Sequence, residues 1–463
     1  MSLSSALGSA LTGLVANARR TDVIAGNLAN MLTPGHAPRE LGVEARLDGG
    51  VRVTGITRRL DPVLLGDRRL ADSAAAGAEA RAVFAAALER AIPAADTPGS
   101  LSDRLGRFEA ALVTATARPE DDLRLAAVLR EADGLAVALN TASAGIDSLR
   151  SRADTEIAQA VDSLNTGLLR VEQINARIVA AQVTGQETAT LEDLRQSEID
   201  ALATLVPLRQ LDRANGSVAL VTTGGALLLD GRAALVEFDA SRRVTPEMSL
   251  EGGQLSGLRL DGRDIAASDK GPLAGGRLSA LFDNRDRLGP EARAALDAVA
   301  RDLIERVEAL TPRPALGLFT DGGARLDPGM ITGLAGRIAV TPLVDPEQGG
   351  ALFRLRDGPD AATPAAPAEA PYLTALIVAL AGPPPLAGDM AQLESGMAQT
   401  RLATEEELSF TSGRTGSLRL IELEGGVDSD AEMQRLLLVE QAFAANARMI
   451  QTIDDMMQTL LRI

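Results

Sequence analysis

The sequence has no cysteine and no tryptophan, and among its 463 residues it has one tyrosine, one histidine (His36) and one lysine (Lys270). Without thiols there is no disulfide, thiolate nucleophile, iron–sulfur cluster or cysteine-ligated zinc. A single imidazole excludes every intrachain site that needs two. Aromatics make up 2% of the chain, so the core has to be assembled from Ala, Leu, Val and Ile, a composition that suits long helices better than aromatic-rich sandwiches. Basic residues are outnumbered 46 to 63, giving a net charge of −17, which argues against nonspecific binding to nucleic acid or anionic lipid. The longest strongly apolar run, Leu373 to Ala381, halts at Pro383-Pro384-Pro385 and is too short to span a bilayer. No basic region followed by an uninterrupted apolar stretch opens the chain, so a cleaved signal of the usual kind is not expected.

A search for chemistry returns little. There is no phosphate-binding G-x-x-x-x-G-K-[ST], no dinucleotide fingerprint after a strand and no G-x-S-x-G. His36 follows a turn and has no partner in the sequence, which is the setting of a structural imidazole. The acids Glu120-Asp121-Asp122 sit where a helix dipole favours them; Glu405-Glu406-Glu407 and Asp454-Asp455 read as solvated helix faces. Asp261, Asp264, Asp283 and Asp286 match no calcium loop. The Arg doublets at 19–20, 58–59, 68–69 and 242–243 are scattered and lack stacking aromatics. The methionines Met433, Met449, Met456 and Met457 suit an adaptable interface. No catalytic, cofactor-binding or metal site is expected, and the chain reads as a structural protein.

What the sequence does have is helical periodicity at both ends. Residues 1–18 contain no charged side chain, and Leu3, Leu7, Ala10, Leu14, Ile24 and Leu28 fall on alternating four-three spacing, with Asn17 and Thr21 filling the gaps. The remaining positions are mostly small, so this helix has no solvated face of its own and calls for burial on several sides. Thr33-Pro34-Gly35 ends it. At the other end Leu436, Val439, Phe443, Asn446, Ile450, Ile453, Met457 and Leu460 keep the same rhythm, with Asn446 as the one polar member and Asp428, Ser429 or Asp430 as candidate caps. The two seams are natural partners. Both segments are expected to be loosely ordered alone and to pair fully when neighbours bury them.

Between the ends, 51–63 reads as short strand, 65–90 and 100–116 as helices, and Pro119 with its three acids starts a helical run that meets no further proline until Pro207. Thr184-Gly185 breaks that run and 191–205 is a shorter helix packing back. After Pro207 the period changes to two, with a hairpin over 217–229 and strands at 233–238, 247–250 and 258–260. Helix returns over 277–310, strand over 337–340 and helix over 390–408. The expected fold is mainly α with a small β insertion: a long antiparallel helical rod whose terminal helices pair as a coiled coil. Its units would be 1–35 with 426–463 (terminal assembly), 36–206 with 276–425 (rod) and 207–275 (β-rich insertion).

The ends also carry a resemblance. Asn27-Leu28-Ala29-Asn30 followed by Thr33-Pro34-Gly35, and Gln441 to Ile450 with Met456 to Leu461, resemble the two terminal signatures of the flagellar axial proteins, the rod, hook and hook-associated family. His36 stands where that family usually has Tyr. The middle blocks Ala153–Ile178 and GGRLSALFDNRD (275–286), and Gly426-Val427-Asp428 with Asp430, are similar to its hook-associated branch, although Ala431 replaces the final acid. The resemblance implies a structural component exported through the flagellar type III apparatus. It would polymerise through its terminal helices as a ring or tube at the junction of hook and filament. The implied partners are further copies of itself, the hook protein, hook-associated protein 3 and an export chaperone, with no nucleic acid and no membrane insertion. The nearest rival is another axial protein: hook, distal rod or hook-associated protein 3.

Overall fold

The computed structural model describes residues 3–33, 35–47, 49–267, 270–366 and 368–462. Helix α1 (Leu3–Asn30) opens the chain. Thr33 turns back onto the Asn30 carbonyl and Gly35 takes φ +80°, so the turn ends the helix; Pro34 lies outside the described residues. A hairpin of β1 (Arg39–Ala45) and β2 (Val51–Arg58) follows. Only its second strand is legible as sequence; β1 is RELGVEA, whose charges and glycine mask the alternation.

Helix α2 (Pro62–Ala91) starts with Pro62 in its first turn and the Asp61 carboxylate accepting from the Val63 and Leu64 amides. Helix α3 (Leu101–Thr116) is capped by Ser100 and α4 (Asp122–Val183) by Asp121. The 62 residues of α4 form one unbroken helix, about 93 Å long at 1.5 Å per residue. The chain turns at Gly185 (φ +68°), and α5 (Ala189–Leu205) packs back on α4.

Two small antiparallel sheets then interrupt the helices. One is ordered β3-β4-β5-β6 and the other β7-β8-β9, with β3 at Leu208–Asp212, β4 at Val218–Thr222, β5 at Leu227–Asp230, β6 at Arg232–Ala233, β7 at Val236–Glu237, β8 at Leu258–Leu260 and β9 at Arg263–Ile265. The expected strand at 247–250 is not formed. The fully buried Arg150 of α4 donates to the Thr245 and Met248 carbonyls at 3.1 and 2.7 Å, so this loop's backbone bonds a side chain instead of a ladder.

Helix α6 (Gly276–Asp283) passes through a wide, π-type turn (284–288) into α7 (Gly289–Glu308). Next come β10 (Phe319–Asp321) paired with β11 (Ile338–Val340), the short α8 (Phe353–Asp357) and α9 (Pro371–Ala381). Helix α10 (Leu386–Glu424) starts just after the proline triplet and runs well past the expected 408, lying along α2. Helix α11 (Ser429–Arg462) ends the chain, its start capped by Asp428, which accepts from the Asp430 and Ala431 amides.

Helix α4 threads two apolar cores. Its first half (Leu125 to Ala153) packs with α2, α3, α7, α9 and the start of α10, where Phe108 and Phe319 meet edge to face at 5.7 Å. Its second half (Ile157 to Val171) packs with α5, α6 and both sheets. The β insertion has no separate core: Val218, Leu220 and Leu228 share one cluster with Leu164 and Leu168 of α4. Asn165 and Asn175 of α4 pin it further, donating to the Val236 and Val218 carbonyls at 2.8 and 2.9 Å.

The 275–286 block lies where the two cores meet. Gly275 and Gly276 have φ +90° and +70°, and a Cβ on Gly77 would stand 2.9 Å from the Gly276 carbonyl oxygen, so α2 and α6 cross at bare backbone. Arg285, with no exposed surface, pairs with Asp154 at 2.6 Å and Asp286 at 2.8 Å while its guanidinium lies 4.8 Å from the Phe282 ring centre.

Candidate assembly interface

The terminal helices α1 and α11 pack on each other within one chain, and the hairpin lies along α1 on another side. The small residues of α1 are where the hairpin rests: Thr12 Oγ1 accepts from the Val51 amide at 3.2 Å, and a Cβ on Gly50 would collide with Thr12. Gly13 faces α11, since a Cβ there would stand 2.9 Å from Asn446 Nδ2. Asn446 is thus the half-buried polar step of the α11 seam, set against a residue with no side chain.

Of the expected α1 seam, Ala10, Asn17 and Ile24 are buried, Leu3, Leu7, Leu14 and Leu28 are half-buried, and Thr21 is exposed. On α11, Val439 and Ile453 are buried; Leu436, Asn446 and Ile450 are half-buried; Phe443, Met457 and Leu460 are exposed at 41, 45 and 60%. A second apolar stripe runs beside that seam, roughly a quarter-turn round at 3.6 residues per turn. It comprises Leu438, Ala442, Ala445, Met449 and Met456, all exposed. On α1, Leu11 and Val15 are about half exposed and share a face with Gly8, roughly opposite Gly13 and so turned away from α11.

The motif asparagine is the polar centre of this region. Asn27 is 1% exposed. Its Nδ2 donates to the Arg39 carbonyl (2.9 Å) and to Glu432 Oε1 (3.2 Å), and its Oδ1 accepts from the Arg39 amide at 2.9 Å. One side chain therefore covers the outer edge of β1 and ties it to the first turn of α11. Glu432 stands one position beyond the expected acid, which is why the sequence pattern missed it. Asn30 closes onto the Gly26 carbonyl, Thr33 and Ala29 are exposed, and Gly35 packs against α5 near Ser197.

The hairpin is fastened to the rod through Asp193 of α5. Arg39 reaches Asp193 at 2.6 Å, Arg58 at 2.8 Å and His36 Nδ1 at 3.4 Å. Burial holds the His36 pKa below the ordinary imidazole value, helped by Arg39 and Arg58 and opposed by Asp193. A second knot joins α2, α5 and α10: Arg68 bonds Asp72, Asp200 and Glu422, each at 2.6 Å, and Arg69 bonds Asp200 at 2.6 Å. Burial raises the pKa of Glu422 despite Arg68 beside it. The Arg doublets 58–59 and 68–69 are the visible signal for both knots; apart from Asp72, the acids they pair with, Asp193, Asp200 and Glu422, lie more than a hundred residues away. Among the described residues no cluster of acids and imidazole could hold a metal ion, and no single helix is long and apolar enough to cross a membrane.

Residues 86–317, half of the chain, match the family model described as the flagellar hook-associated protein FlgK helical domain. The chain belongs to the FlgK family. Residues 424–463, which include all of α11, match a second model, the C-terminal part of the flagellar basal body rod FlgEFG proteins. The FlgK middle and the end shared with rod proteins thus occur in one chain, in the order the terminal and middle motifs suggested. No curated protein matches the sequence. Among solved structures the chain is similar to the flagellar hook junction protein FlgK from Burkholderia pseudomallei. That match has 18% identity and a TM-score of 0.47, and covers 56% of this chain and 47% of that one. The chain spans about half the length of that relative.

Proposed function

We propose that this protein is a structural, non-catalytic component of the bacterial flagellum that polymerises through α1 and α11 at the junction between hook and filament. The observation that carries this reading is the apolar surface left uncovered on both terminal helices, Leu438, Met449 and Met456 on α11 and Leu11 and Val15 on the far side of α1, in a chain of the FlgK family. A paired helix that leaves a continuous apolar stripe in water gains when another copy covers it, at roughly 25 cal/mol per Å². Export without a cleaved signal, a chaperone over α11 before export, and contact with the hook protein on one side and hook-associated protein 3 on the other belong to the same proposal. So does a division of labour in which 1–35 with 426–463 assembles while 36–206 with 276–425 and the 207–275 insertion face outward.

Electron microscopy of cells lacking the gene tests it. Bare hooks, with filament protein shed into the medium, are expected. Missing hooks would move the protein down to the rod or hook, and normal flagella would overturn the proposal.

A further inference from the structure

The hairpin and the four-stranded sheet each leave one edge free, and the two edges face one cleft. The Arg213 amide bonds the Ser217 carbonyl and the Thr223 amide bonds the Pro207 carbonyl. With the β3–β4 register of Leu208 opposite Thr222, this turns the backbone groups of Leu208, Gln210 and Asp212 away from β4. The Arg59 amide bonds the Pro38 carbonyl, and with Arg39 opposite Arg58 the same alternation turns the backbone of Ile56 and Arg58 away from β1. The other edge of the hairpin, at Arg39, is the one Asn27 covers. Leu208 is buried, so the open part of the β3 edge is Gln210 and Asp212, and among the described residues no backbone hydrogen bond reaches them on that side. Both free edges line a single open cleft of about 790 Å³ between β2, the first turns of α2 and β3.

Five arginines and three acids line the cleft. Arg58, Arg69 and Arg213 are already paired with Asp193, Asp200 and Asp230, and Arg195 bonds Asn175 and the Gly216 carbonyl. Arg209 is exposed on β3 and has no ion pair among the described residues. Arg69 is 3% exposed, and its Nη2 finds no acceptor. Burial holds Arg195 below the ordinary guanidinium range, opposed by Glu192 and Asp212 and helped by Arg58 and Arg69.

We infer that this cleft receives an extended, acidic segment of a partner protein, which adds a strand to the free edge of β3 and sets its carboxylates against Arg209 and Arg69. Strand addition supplies affinity through main-chain hydrogen bonds, and the alternate side chains supply specificity. Arg209 and the open Nη2 of Arg69 select the sign. β3 is short and charged, which protects it from indiscriminate pairing, so a matched charge on the incoming strand is what makes it a productive edge.

The test uses a fluorescently labelled peptide of alternating Val and Glu, added to the full-length protein at low salt and followed by anisotropy and hydrogen exchange. Binding is expected, with new exchange protection at the Gln210 and Asp212 amides. Gln210→Pro removes an outward amide without breaking the β3–β4 ladder and is expected to weaken binding at least about tenfold, as is Arg209→Glu at an exposed site. Gln210→Ala, which keeps the amide, is expected to bind nearly as the parent does. No binding, or binding that Gln210→Pro leaves intact, overturns the strand-addition proposal. If these substitutions instead abolish concentration-dependent self-association of the unliganded protein, the occupant is a second copy and the assignment to a partner protein falls.

Discussion

Helix α4 and helix α11 are written in the same residues at the same spacing, yet one is covered along its length and the other is not. Along α4 the seam from Leu125 to Ile178 is fully buried at almost every step. On α11 only Val439 and Ile453 among the described apolar residues reach that state. The difference lies in the neighbours. α4 is surrounded by α2, α3, α5, α7 and two sheets, whereas α11 has α1 and little else. Periodicity says that a helix has an apolar face; it does not say which molecule supplies the cover.

That contrast can be broken in graded steps. The largest effect is expected from Asp154→Ala, which removes the fully buried one of Arg285's two carboxylate partners and the acceptor of the Ser241 amide, leaving Arg285 with Asp286; about 3–5 kcal/mol of unfolding free energy should be lost in urea titrations. Leu139→Ala in the α4 seam should cost about 2–5 kcal/mol through its cavity, while the half-buried Leu14→Ala should cost much less. Equal losses would mean that the terminal pair is as closed as the rod. Ile453→Asp puts a charge into the buried step of the α11 seam and should abolish polymerisation while leaving the rod's thermal transition in place. Loss of both together would show one cooperative unit. Asn27→Ala should loosen the hairpin by about 1–3 kcal/mol, read as faster exchange of the Arg39 amide.

The smallest effect concerns pH. The His36 pKa is lowered in the folded chain, so the unfolded chain takes up the proton more readily. Its contribution is therefore complete above the ordinary histidine value, about 6.5, and is lost as pH falls through that value toward the lowered one. His36→Gln should flatten the melting temperature across that window. Since His36 is the one imidazole in the sequence, a single nuclear magnetic resonance signal reports its titration directly.

Much of this fold can be read from residues. The apolar spacing, Asp121 and Asp428 mark helices, whereas Pro62, inside the expected strand 51–63, instead opens α2, and only the folded chain shows that Gly275-Gly276 is a crossing. What could not be read is set by distant partners. β1 exists because Asn27 and α1 hold a charged, glycine-containing strand in place. The loop at 247–250 is bent away from strand by an arginine a hundred residues earlier. Helix α10 outruns its visible pattern because its cover is α2, so Gly413 and Gly416 sit on an open face where packing asks nothing of them. In the terminal region Ala10, Ile24, Val439 and Ile453 are buried on the expected seam while Phe443, Met457 and Leu460 are exposed, and Glu432 is not legible at all: its bond to Asn27 spans 405 residues. Asp193, which gathers three cations, is likewise visible only after α5 is folded against the hairpin.

The unbroken α4 has a mechanical consequence. Both cores are threaded on one shaft, and no loop, glycine pair or proline lies between Ala153 and Ile157 where the first hands over to the second. Swivelling one core against the other would require snapping backbone hydrogen bonds at that point and pulling Arg285 from Asp154. A twist or bend applied at either end is therefore carried to the other end as rigid rotation, and compliance is left to the short joint at 425–428, where α11 meets the shaft.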